Sequence, residues 1–138
     1  MPTVFWGLVV VVVAGAALHL VSLRYVTRGR FDETHHVRLP GGRPLTLYRI
    51  RPTGETKRRH PVICCHGLGA CRFNLALPGK HSIAHRLAAE GYDVWVCDLS
   101  GFGRSVPENW RAPGRFDVRF EDFVLRDAPA MIDRIRRE

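Results

Sequence analysis

The sequence predicts an α/β fold: a β-hairpin and a strand–helix–strand unit that opens a parallel sheet, preceded by a transmembrane helix. Three observations carry this prediction. An uncharged run of twenty residues, Val4 to Leu23, stands at the amino end. Two segments alternate apolar and polar residues around Pro40-Gly41-Gly42-Arg43-Pro44. Two short β-branched and aromatic runs then flank an amphipathic stretch that has its own start and stop residues.

Twenty helical residues at about 1.5 Å each span roughly 30 Å, the thickness of a hydrocarbon core. Trp6 and Tyr25 suit the two interfaces. Arg24, Arg28 and Arg30 follow the run and no Lys or Arg precedes it, which places the carboxyl side in the cytoplasm. Residues 1–27 are therefore expected to be a single-pass membrane anchor, and residues 28–33 a polar linker. The alternative is a secretory signal cleaved near Ala14-Gly15-Ala16, although the positive n-region of such signals is missing. A soluble helix apolar on all sides would need a larger core than this chain can build.

The domain is expected over 34–138. His35 to Leu39 and Leu45 to Arg51 read as half-exposed strands of a hairpin. Pro61 to Cys65 reads as a strand buried on both faces, followed by a long connection from His66 to Lys80. Ser82 can cap a helix running to Glu90, with Ile83, Ala84, Leu87 and Ala88 on one face and Gly91 as its stop. Tyr92 to Cys97 is a second buried strand. Strand, helix and strand together make a βαβ unit. After an irregular stretch, Leu99 to Arg119, an amphipathic segment runs from Phe120 to Arg137. Its apolar side is Phe120, Phe123, Val124, Met131, Ile132 and Ile135, and Pro129 is expected to break or kink it into two helical pieces, the second beginning near the proline.

Charge and cysteine usage exclude several function classes. The net charge is +8, and Lys57 and Lys80 are the only lysines. The arginines are spread along the chain and interleave with no aromatic platform or zinc-finger spacing, so no nucleic-acid partner is expected. Cys64, Cys65, Cys71 and Cys97 form no C-x-x-C pair, so neither a metal nor another cofactor is expected. Cys64, Cys65 and Cys97 lie in apolar runs, as reduced cysteines of a cytosolic or membrane-proximal domain do.

Parallel strands joined by right-handed crossovers end at one edge of the sheet, where functional loops gather. Both buried strands are followed there by unusual loops: His66-Gly67-Leu68-Gly69, and Asp98-Leu99-Ser100-Gly101-Phe102-Gly103-Arg104-Ser105. A connection of about fifteen residues is long for this position, and such loops are usually functional. A dinucleotide reading of Gly101-Phe102-Gly103 fails, because its third glycine would fall at Val106 and no helix opens there.

Pro61-Val62-Ile63-Cys64-Cys65-His66-Gly67-Leu68-Gly69, followed by Gly91-Tyr92-Asp93-Val94-Trp95-Val96-Cys97-Asp98-Leu99-Ser100-Gly101-Phe102-Gly103-Arg104-Ser105, resembles the first half of an α/β-hydrolase core. The resemblance covers about Thr34 to Arg137. It implies that His66, Gly67 and Leu68 form an oxyanion-hole turn whose donor is the Leu68 amide, with His66 shaping the turn through backbone hydrogen bonds. The resemblance makes Asp98 and Arg104 structural and gives Ser105 a role in capping the loop. Ser100 and Ser105 lie outside any G-x-S-x-G and are poor nucleophiles. Phe120-Glu121-Asp122-Phe123 and Asp127 to Asp133 resemble the stretch before the nucleophile strand of acid-lipase-like hydrolases and polyhydroxyalkanoate-synthase-like proteins. The resemblance thus implies a serine esterase or lipase that acts on hydrophobic ester or acyl substrates at a membrane. It also implies that the chain stops before the nucleophile strand, lacks the catalytic triad and is inactive as given. Two alternatives stay open: an acyltransferase with a cysteine nucleophile, and a non-catalytic membrane-anchored interaction protein. Oligomeric state is not legible.

Overall fold

The computed structural model describes residues 2–24, 29–54, 57–79, 81–109, 111 and 117–138; within the first helix, side chains are described from Phe5 to Val21. The elements are α1 (Pro2–Arg24), β1 (Glu33–Arg38), β2 (Pro44–Ile50), β3 (Val62–Cys64), α2 (Ile83–Ala89), β4 (Val94–Asp98), α3 (Phe120–Asp122), a π-helical turn (Phe123–Asp127) and α4 (Ala128–Arg136).

The strands form one mixed sheet in the order β1-β2-β4-β3. The hairpin is antiparallel, with Val37 opposite Leu45, and its turn uses Gly41 and Gly42 at positive φ, a conformation that side chains disfavour. β2 also pairs antiparallel with β4, Leu47 opposite Cys97. That second partner corrects one expectation: β2 is buried rather than half-exposed, because it lies inside the sheet and not at its rim. β3 and β4 run parallel, Ile63 opposite Trp95, as a βαβ unit requires. β3 is outermost among the described strands, so it is not buried on both faces as expected, and Ile63 is 37% exposed.

The sheet has a core on each face. Tyr48, Ile50, Val94 and Val96 pack with Ala84 and Ala88 of α2, while Leu45, Leu47, Trp95 and Cys97 pack with Met131 of α4. Alternation along β2 and β4 therefore serves two helical layers at once. Ser82 caps α2 by accepting the His85 N–H at 3.1 Å, and Gly91 at positive φ follows its end. Ile83, assigned to the apolar face of this helix, is exposed.

The carboxyl-terminal segment holds two α-helical pieces joined by the π turn, and the second begins at Ala128, near Pro129 as expected. Pro129 sits in the first turn of α4, directly after the π turn. The wider turn relieves the clash that a proline ring makes with a preceding carbonyl, so the helix passes through. Its buried stripe is narrower than expected: Met131 is buried and Phe123 and Ile135 are partly so, but Phe120, Val124 and Ile132 face outward.

Most large apolar side chains of α1 are exposed, between 53% and 71%, and Val9 is half-buried. Among the described residues, however, no helix is long and apolar enough to cross a membrane. The transmembrane helix expected over 1–27 is thus not found. Tyr25 and Arg28, to which the expectation assigned an interface and a charge, lie outside the described residues.

Candidate active site

The loops after β3 and β4 meet at the carboxyl edge of the sheet, and His66 joins them. Its ring is buried; Nε2 accepts the Leu99 N–H at 3.0 Å, while Nδ1 lies 2.8 Å from the Gly67 carbonyl. An acceptor at Nε2 leaves the proton on Nδ1, which then donates to that carbonyl. Phe102 packs edge-on against the ring, 5.4 Å between centroids. With both nitrogens committed to backbone, His66 is a strut between two loops and has no proton to exchange with a ligand.

The strut holds a tight turn. The Ala70 N–H donates to the Gly67 carbonyl at 3.3 Å, and Gly69 in the third position has φ +73°, the signature of a type II turn. Leu68 therefore occupies the second position, whose amide the turn does not use. That N–H makes no hydrogen bond among the described residues, and Leu68 is 70% exposed. A main-chain donor left free at the edge where loops converge can hold an oxygen that develops negative charge.

Beneath the second loop, the carboxylate of Asp98 is completely buried and fully bonded. It accepts Tyr48 Oη at 3.0 Å, the Arg72 N–H at 2.9 Å, Arg72 Nη1 at 2.6 Å and the Arg104 N–H at 3.0 Å. Burial, and then the negative charge of Asp98, push the Tyr48 hydroxyl well above its ordinary range, so it remains a donor. A side chain at Gly103 would collide with this carboxylate, hence glycine there. Ser105 Oγ accepts the Thr46 N–H at 2.8 Å and donates to the Asp98 carbonyl. Buried Asp127 receives both the N–H and the hydroxyl of Ser100, each at 2.8 Å, and so pins the loop to the π turn. Ser100 and Ser105 are buried structural groups.

Two features escaped the sequence reading. Ser82 Oγ lies 2.7 Å from His85 Nδ1, and His85 Nε2 lies 3.0 Å from the Arg30 carbonyl, a serine–imidazole pair in outline. Ser82 is buried and spent on capping α2, so it is no nucleophile. Cys65, next to His66, is exposed rather than packed in an apolar run. Hydrogen bonding from Cys97 pulls its thiol down to about 7 against the opposing effect of burial. Register could have revealed the pair: Cys64 faces Val96, so Cys65 falls beside Cys97. Among the described residues no group of three or more His, Cys, Asp or Glu is placed to hold a metal ion.

Residues 60–138 match the family model of the alpha/beta hydrolase fold. The chain belongs to the α/β-hydrolase family. The chain is similar to two curated proteins of Drosophila melanogaster. It is 32% identical to "Lipase 1" over 111 residues, covering 78% of the chain and 24% of that protein. It is 31% identical to "Lipase 3" over 108 residues, covering 73% of the chain and 27% of that protein. The hydrolase chain thus spans about a quarter of the length of the curated relatives it matches. No solved structure matches it.

Proposed function

We propose that this chain supplies the oxyanion turn of a serine hydrolase acting on carboxylic esters of lipid-like substrates at a membrane. The observation that carries the reading is the unspent amide of Leu68, fixed by the His66 strut at the carboxyl edge of β3. The likeness to two lipases points the same way. In this mechanism a serine hydroxyl attacks the ester carbonyl and gives its proton to a base. The carbonyl oxygen, now negative, accepts the Leu68 N–H and that of the residue after the nucleophile. The intermediate expels the alcohol, leaving an acyl-enzyme that water hydrolyses. One such donor contributes on the order of 3 kcal/mol.

No serine of the 138 residues lies in G-x-S-x-G. The isolated chain is therefore expected to hydrolyse no p-nitrophenyl ester; turnover abolished by a serine-directed inhibitor contradicts this. The decisive experiment is Leu68→Pro in a polypeptide that carries this chain together with a G-x-S-x-G strand. Proline suits the second position of a type II turn and removes the N–H, while Leu68→Ala, which keeps the N–H, controls for the lost side chain. The expected result is a fall in kcat of about 10² to 10³ with KM little changed. An unchanged kcat defeats the proposal.

The membrane part of the proposal rests on α1. Exposed apolar side chains along a helix need a covering, and lipid supplies one. Arg24, Arg28 and Arg30 favour a cytoplasmic domain. Protease protection in sealed vesicles tests this orientation.

A further inference from the structure

A cleft of about 720 Å³ opens beside the carboxyl edge, between β1, the start of β2 and the loop after β4. His36, Arg38, Arg104 and Glu108 bring charged or ionisable groups to its lining. Nearly every other arginine packed on the sheet is engaged: Arg43 with Asp122, Arg49 with Asp93, Arg72 with Asp98, Arg134 with Glu138. The guanidinium groups of Arg38 and Arg104, by contrast, make no ion pair or hydrogen bond among the described residues, and Glu108 does not pair with either. Two unpaired guanidinium groups in one concavity outnumber the single carboxylate, Glu108, and leave an excess of positive charge there.

The cleft is also built rather than incidental. Thr46, completely buried, donates its hydroxyl to the Arg104 carbonyl at 3.3 Å, and the same oxygen lies 3.3 Å from His36 Nδ1. The Arg104 N–H is held in turn by Asp98. One hydroxyl thus fixes groups from β1, β2 and the loop, leaving His36 Nε2 without a hydrogen-bond partner among the described residues. Guanidinium forks match the geometry of tetrahedral oxyanions, which they bind through paired, charge-assisted hydrogen bonds.

We propose that this cleft binds a phosphate group, with Arg38 and Arg104 as its principal ligands and His36 beside them. It lies two to three strands from the Leu68 turn, roughly 10 to 15 Å at the spacing of a sheet. The inference stands on the cleft alone and does not need the esterase reading.

The test titrates the full 138-residue chain with inorganic phosphate by calorimetry, and measures its co-sedimentation with phosphatidylcholine vesicles with and without phosphatidic acid. Arg38→Gln and Arg104→Gln are exposed changes, and each is expected to weaken binding about tenfold. Arg86→Gln, on the outer face of α2, is expected to leave it unchanged. Saturable phosphate binding, lost in the double variant, supports the site. Phosphatidic acid-dependent sedimentation lost in the same variant identifies a lipid headgroup as the source. Phosphate binding without that dependence identifies the free anion. No saturable binding in either arm, or binding indifferent to both substitutions, overturns the proposal.

Discussion

At the residue level, the site is governed by which polar groups are spent and which are left over. His66 spends both ring nitrogens, one on Gly67 and one on Leu99, thirty-three positions away, and the Leu68 amide is what remains. Nearby, Cys65 is set apart from its neighbours by a single contact with Cys97. Burial raises the Cys64 thiol, whereas Cys65 is exposed and lowered to about 7. Only the thiolate is nucleophilic, and a lowered pKa makes it available at lower pH. Alkylation at Cys65, followed by peptide mass spectrometry, should set in at lower pH than at an ordinary thiol, and Cys97→Ala, which removes the donor, should move its midpoint upward. A midpoint unmoved by the substitution would rule out the contact as its cause.

At the level of elements, the carboxyl-terminal segment shows a local rule and packing acting together. Proline predicts an interruption, because it lacks an N–H and crowds the preceding turn. Here the π turn absorbs the ring, and Asp127 within it gains the bonds to Ser100. The helix stays on the sheet through Met131, buried against Trp95 and Leu47. Met131→Ala should cost about 2 to 4 kcal/mol by chemical denaturation, since a cavity adds to the lost transfer energy. A cost below half a kcal/mol would mean that the helix does not seal this face. The caps of α2 were readable, because Ser82 and Gly91 act on amides within a few residues of themselves. The exposure of Ile83 was not, as it depends on what α2 lies against.

For the whole molecule, strand order sets which segments are secure. β4 is hydrogen-bonded on both sides, to β2 and β3, and is buried throughout, whereas β1 and β3 each have one described neighbour. Local opening is cheapest where backbone bonds face solvent. Hydrogen exchange should therefore find the slowest amides in β4 and faster ones in β3. Equal protection in both would show that something covers the outer edge of β3. The cleft of Arg38 and Arg104 belongs to this scale too, because the hairpin and a loop distant from it in sequence build it.

The sequence by itself determined the pieces: a hairpin around two glycines, a βαβ unit with its caps, and the His66-Gly67-Leu68 turn at the end of a strand. Alternation, capping and turn chemistry act between residues a few positions apart, so they are written locally. Tertiary structure alone decided that β2 slips between β1 and β4, that His66 finds Leu99, and that Asp98 gathers Tyr48, Arg72 and Arg104. Apart from Arg104, which is near Asp98 in sequence, those pairings join groups far apart along the chain. Their partners are chosen by how the layers close on the sheet, which no short window of sequence encodes.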